Sequence, residues 1–141
     1  MMQRFRTAGL AGLLLLLAAG TALVANPQYV NYQGILHDAD GAPLATGDYS
    51  MEFQIHRDLM ADSLLWGPFV FDGTNGPGHS AMVHVTNGRF NVILGPADTT
   101  GRAIGAAFKE DASGPDQCFV EIRVNGGDPI LPRQQILTVP Y

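Results

Sequence analysis

"AMVHVTNGRFNVILG", residues 81–95, decides the fold. Two apolar runs, Ala81–Val85 and Arg89–Gly95, flank Asn87-Gly88. Asn-Gly between such runs is the strongest short signal for a β-hairpin, because both turn residues need positive φ. His84 lies between Val83 and Val85, so it is expected on the opposite side of its strand.

The same texture continues in both directions. Tyr49, Met51, Phe53 and Ile55 alternate strictly with polar neighbours, the mark of a half-buried strand. Leu64–Phe71, "LLWGPFVF", reads as another strand, with Gly67-Pro68 marking an edge or a bulge, since proline cannot donate to a central ladder. Tyr29–His37 reads as the first strand, closed by an Asp38–Gly41 turn. Downstream, Cys118–Val124 is followed by Asn125-Gly126-Gly127 and a last apolar stretch toward Val139. About seven strands joined by hairpins, with turn signals at sandwich spacing, predict an all-β antiparallel sandwich of immunoglobulin or transthyretin-like kind over residues 26–141. The exception is Pro96–Gln117, long for a bare loop; Ala103–Asp111 is expected to form one or two helical turns within it.

The ends read differently from the middle. Residues 1–25 carry a basic head (Arg4, Arg6), an apolar stretch from Ala8 and then small residues, the layout of a secretory signal peptide. The Leu13–Leu17 run is soon followed by Gly20 and Thr21, which is short of the about 20 apolar residues of a comfortable span. Ala25/Asn26 is the preferred cleavage point and Ala22 the other, with an uncleaved anchor as the alternative. The preferred reading leaves no stable membrane span after cleavage. At the other end, "LPRQQILTVPY" (residues 131–141) runs as a strand to Tyr141, where the chain is expected to lead into something further.

Charge and cysteine content narrow the class. Without Arg4 and Arg6 the chain has six basic against thirteen acidic residues, with Lys109 its one lysine. Such a surface repels phosphate backbones and argues against nucleic acid as a partner. The single cysteine, Cys118, cannot make an internal disulfide, so an exported domain must be held by its core or its neighbours. Cys118 is in phase with Val120, Ile122 and Val124 and is expected in that core, with an intermolecular disulfide as the alternative.

Several motifs invite a chemical reading. "GHSAM" (residues 78–82) matches four of five positions of a Gly-x-Ser-x-Gly elbow, but a strand follows Ser80 where that elbow needs a helix. Asp38 and Asp40 resemble the opening of a calcium loop, making calcium the one cofactor to weigh. Ala42, Pro43 and Leu44 stand where further ligands are needed, so a simple Asp-Gly turn is preferred. None of His37, His56, His79 and His84 lies in a metal-binding spacing, and all four read as surface or rim residues. Trp66, Tyr32 and Tyr49, with Tyr29, are candidates to stack on a sugar, against the ordinary use of a sandwich tryptophan in the core.

Taken together, the Tyr-Gln-Gly opening (Tyr32–Gly34), the Asn-Gly-x-Phe hairpin (Asn87–Phe90) and the Pro-Arg-Gln…Val-Pro-Tyr close (Pro132–Tyr141) carry a resemblance. They resemble an N-terminal module of large, poorly characterised bacterial surface proteins, over nearly all the chain after residue 25. That resemblance implies a structural or adhesive role, with no catalytic residues to carry over. In that family the closing motif leads into a longer chain, whereas this sequence stops at Tyr141.

The expected function is therefore a non-enzymatic exported structural or adhesion module, the N-terminal part of a larger surface or extracellular protein. Its expected partners are following domains of the same polypeptide or other surface proteins. The alternative is a carbohydrate- or small-ligand-binding module, with a glycan bound at Trp66, Tyr32 and Tyr49.

Overall fold

The structure, a computed structural model, describes residues 28–108 and 117–136. The signal segment 1–25, residues 109–111 of the expected helical turns and the chain end after Ile136 lie outside the described residues. Among the described residues there are nine strands and one short helix: β1 Val30–Ile35, β2 Gly47–Tyr49, β3 Met51–His56, β4 Leu64–Phe71, β5 His79–Ser80, β6 Val83–Val85, β7 Arg89–Leu94, a 3-10 turn Ile104–Phe108, β8 Cys118–Val124 and β9 Gln134–Ile136. The fold is all-β. None of its described helices is long and apolar enough to cross a membrane.

The expected seven strands become nine for local reasons. The strand through Tyr49 and Ile55 breaks at Ser50: β2 pairs with β6, while β3 pairs with β4 and β8. Asn125 holds the break, its N–H donating to the Ser50 carbonyl and its side-chain oxygen accepting from the Ser50 N–H. The two-residue β5 lies parallel to the end of β4, a contact that no alternation in the sequence announces. Three sheets result, in the orders β1-β7, β2-β6 and β5-β4-β3-β8-β9.

The Asn87-Gly88 hairpin is present. Asn87 and Gly88 have φ of 51° and 83°, and Thr86 and Arg89 exchange both backbone hydrogen bonds across them. Gly88 is needed for space as well, because a Cβ there would lie 2.7 Å from the Leu36 carbonyl oxygen. From this turn β6 runs to β2 and β7 to β1.

One apolar cluster joins all three sheets. It includes Met51, Phe53 and Ile55 of β3, Trp66, Phe69 and Phe71 of β4, Val83 and Val85 of β6, and Phe90, Val92 and Leu94 of β7. Phe53 sits at its centre, edge-on to Phe71 at 5.5 Å and tilted against Phe90 at 6.2 Å. Burying such a side chain contributes about 1.5–3 kcal/mol. Cys118 is buried as expected, and its thiol donates to the Ala107 carbonyl of the helical turn.

Gly67-Pro68 is a bulge, not an edge. Three β3 residues, Phe53 to Ile55, face four on β4, Trp66 to Phe69. The loop after β7 supplies the bonds that the broken ladder leaves open. Fully buried Asp98 accepts the Gly67 N–H at 2.9 Å, Arg102 donates to the Gly67 carbonyl at 2.8 Å, and the Thr99 N–H donates to the Pro68 carbonyl. Burial alone would push the Asp98 carboxyl up; hydrogen bonds from Thr100, Gly67 and Arg102 together hold it below the usual range.

Candidate functional site

A groove opens where the chain's first strand meets its last described segment. Its volume is about 300 Å³, near the lower limit for small-molecule sites. Tyr32, Gly34, Leu36 and His37 form one wall; Phe90, Val120 and Ile122 form the floor; Ile130, Pro132 and Gln134 form the other wall. The Ile130 N–H donates to the Ile122 carbonyl at 2.9 Å, which seats the second wall on β8.

Each distinctive residue here has a local reason. Gly34 faces Phe90 across the β1–β7 pair, and a Cβ at Gly34 would lie 2.8 Å from two ring carbons. The glycine thus lets the Phe90 ring lie over the strand. Tyr32 packs against Phe53 and Phe90, and its hydroxyl donates to the Gln134 side-chain oxygen. Partial burial pushes the Tyr32 phenol up, so it stays a neutral donor. The Tyr-Gln-Gly opening and the Pro-Arg-Gln segment, 102 residues apart at their contact, meet at one rim.

Behind the second wall lies a buried polar cluster. Arg133 turns inward, 7% exposed, and its Nε and Nη2 donate to Glu121 Oε2 at 3.0 and 2.9 Å. Its Nη1 donates to the carbonyls of Asp58 and Ala61 in the β3–β4 loop. Arg123 Nε donates to Glu121 Oε1 at 3.2 Å. Burial opposes the Glu121 charge, but these arginines hold its carboxyl below the usual range. His56 completes the cluster at 3% exposure, with Nε2 2.9 Å from the Gln54 side-chain oxygen and 3.4 Å from Glu121 Oε2.

This corrects the expectation that all four histidines are surface or rim residues. His37 and His84 are exposed, and His79 is half-buried, but His56 is enclosed. The polar side of β3 is covered here by the β3–β4 loop and by Arg133. His84 does point away from Val83 and Val85, as expected, and meets Asp48 at 2.8 Å. His79 meets Asp72, whose carboxyl is held down to about 2 by hydrogen bonds from the Thr74 backbone and side chain and from His79.

The candidate sugar-binding residues do not come together. Trp66 is fully buried, stacked on Phe69 at 5.7 Å, with Nε1–H donating to the Arg102 carbonyl at 2.8 Å. It leaves no face for a sugar, because the bulge turns it into the core. Tyr49 sits on β2, its hydroxyl donating to the Ala45 carbonyl. Only Tyr32 of the three lines the groove.

The other candidate motifs hold their own turns. Asp38 Oδ1 accepts the N–H groups of Asp40 and Ala42 at 2.9 and 3.0 Å, the geometry of an Asp-Gly turn. Among the described residues no three His, Cys, Asp or Glu side chains gather around Asp38 and Asp40 or elsewhere. Ser80 lies in β5, its carbonyl accepting the N–H groups of Asp72 and Gly73, and the chain runs on toward β6 rather than into a helix.

The sequence reading passed over Glu121, Asp98 and Arg102, took His56 for a surface residue and met Arg133 only as part of the Pro-Arg-Gln motif. One signal was readable: Glu121 is the lone acid in the otherwise apolar run "CFVEI". A charge in such a strand needs a buried partner, and the arginine of Pro-Arg-Gln supplies it.

The groove contains a phenol, an imidazole, an amide and apolar walls. What these groups offer chemically is shape and hydrogen bonding. No curated protein and no solved structure matches the chain. A family described as a domain of unknown function, DUF8740, matches residues 31–133, from β1 to the arginine behind the groove, and the chain belongs to that family.

Proposed function

We propose that this chain is a non-enzymatic, exported structural or adhesion module that works through strand edges beside the groove. One observation carries the reading. Among the described residues β1 pairs only with β7 and β9 only with β8, and both strands border the same apolar groove. Unpaired strand edges accept an incoming strand through main-chain hydrogen bonds, and an adjacent apolar trough selects its side chains. Exposed Ile35 and Ile130 flank the trough. The apolar segment before residue 25 and the resemblance to bacterial surface modules support export. The partner is a following segment of the same polypeptide or another surface protein.

A second reading, a small-ligand or glycan site in the groove, is favoured by Tyr32 and Gln134 at its rim. Two measurements separate the readings. Fractionation of cells making the full chain, with N-terminal sequencing, is expected to find it outside the cytoplasm and shortened near Ala25. Cross-linking on those cells and sedimentation of the pure protein are expected to find associated species. Ile130→Lys, at a side chain already 46% exposed, is expected to weaken association about tenfold, since a lysine opposes strand addition. An unprocessed cytoplasmic chain that stays monomeric and uncross-linked would sink the proposal. Glycan binding lost in Tyr32→Phe but kept in Ile130→Lys would favour the second reading.

A further inference from the structure

His56 lies where three pieces of chain meet. It stands on β3, opposite Leu64 of β4 and Phe119 of β8. Its Nδ1 accepts the Ser63 N–H at 3.3 Å, so that nitrogen carries no proton. The proton sits on Nε2, which faces Gln54 Oε1 and Glu121 Oε2. The neutral ring therefore fits its surroundings through both nitrogens. The imidazolium does not, because Nδ1–H would point at the Ser63 N–H.

The charges around the ring strengthen this preference. Glu121 on β8 faces His56, but Arg133 already occupies its Oε2 and Arg123 its Oε1. Asp62 in the β3–β4 loop is the other acid whose field reaches the ring. Leu64, opposite on β4, brings no charge. A proton on His56 thus adds a third cation to a carboxylate that already holds two. Burial first, and Arg133 second, press the His56 ring below its ordinary value, with Glu121 and Asp62 opposing.

Arg133 links this ring to the groove. The same guanidinium that binds Glu121 holds the Asp58 and Ala61 carbonyls, and its neighbours Pro132 and Gln134 are groove wall. Loop and wall are fastened at one point. We propose that neutral His56 latches the Arg57–Ser63 loop and, through Arg133, the Ile130–Gln134 wall, and that protonation in mild acid releases both and opens the groove to an incoming strand. The consequence for docking rests on the reading of the groove given above.

Amide hydrogen exchange of the full chain tests the latch. Between about pH 7 and about pH 5, protection corrected for intrinsic exchange is expected to fall about tenfold in residues 57–63 and 130–136, and to stay level around Asn87-Gly88. Nitrogen NMR of the ring is expected to find the neutral proton on Nε2. His56→Gln, which has no proton to gain, is expected to remove the pH response. Level protection in both segments, a uniform loss across the molecule, or a proton on Nδ1 overturns the latch; the wild-type measurements decide this even where His56→Gln does not fold. Sedimentation and cross-linking run alongside. Protection that falls in both segments with no association at either pH upholds the latch and overturns the docking reading. Association that rises in acid over level protection overturns the latch alone.

Discussion

At the scale of single residues, two positions are decided by what surrounds them. Gly34 has an ordinary strand backbone; it is small because Phe90 lies over it. The ring cannot easily give way, since Tyr32 and Phe53 pack against it at 6.0 and 6.2 Å. Gly34→Ala is therefore expected to cost about 1–3 kcal/mol, the usual range for overpacking. Urea unfolding measures it, and a change below about 0.5 kcal/mol would mean that the ring moves freely. Asp98 is the second such position. Fully buried, it accepts from the Gly67, Thr100 and Arg102 backbone N–H groups, so the carboxylate stands in for a missing strand neighbour at the bulge.

At the scale of elements, the segment from Ile130 to Gln134 is held less by ladder bonds than by Arg133. β9 is three residues long and Pro132 donates no N–H. Arg133 instead spans from Glu121 on β8 to the β3–β4 loop. Arg133→Met leaves the Glu121 carboxylate buried with only Arg123 and the neutral His56 ring beside it. The expected cost is about 3–5 kcal/mol, the penalty for breaking one side of a buried pair. Arg133→Met with Glu121→Gln is expected to recover more than half of that, because the uncompensated charge is gone. A double-mutant cycle in denaturant checks this. Additive losses would show that Arg133 acts through its two carbonyl contacts and not through the charge pair.

At the scale of the whole molecule, stability should depend on acid in two stages. His56 has its proton affinity lowered on folding, so below the ordinary value of 6.5 the unfolded chain binds more protons. Its contribution is full above that value and is lost as pH falls toward the folded value. Glu121 and Asp98 are also depressed, so theirs is full above the ordinary 4.5 and 3.8 and is lost below. The urea midpoint is expected to decline gently below about pH 6.5 and more steeply below about pH 4.5. A flat midpoint through the first stage would show that His56 does not titrate with unfolding.

Much of this was legible in the chain. Alternation marked β3 and β7, because each presents one face to the apolar cluster and alternation is the direct record of that; β4 and β8 read as apolar runs bounded by turn residues. Asn87-Gly88 marked its hairpin, since few other pairs take two positive φ values. The break at Ser50 and the short parallel β5 were not legible, and at Gly67-Pro68 the sequence left an edge and a bulge both open. They depend on Asn125, Phe71 and Asp98, distant in sequence, reaching those positions.

The groove divides in the same way. Tyr-Gln-Gly and Pro-Arg-Gln stood out as motifs, whereas Glu121, a lone acid in an apolar run, was passed over. The amino-acid sequence by itself determined the all-β class, the hairpin and the face that β3 and β7 bury. Those are short-range consequences of side-chain period and turn geometry. Only the tertiary structure decided that Trp66 is core, that His56 is enclosed and that Tyr32 meets Gln134. These are meetings of side chains tens of residues apart. Their energies come from burial and hydrogen bonds that do not exist until the sheets have closed on one another.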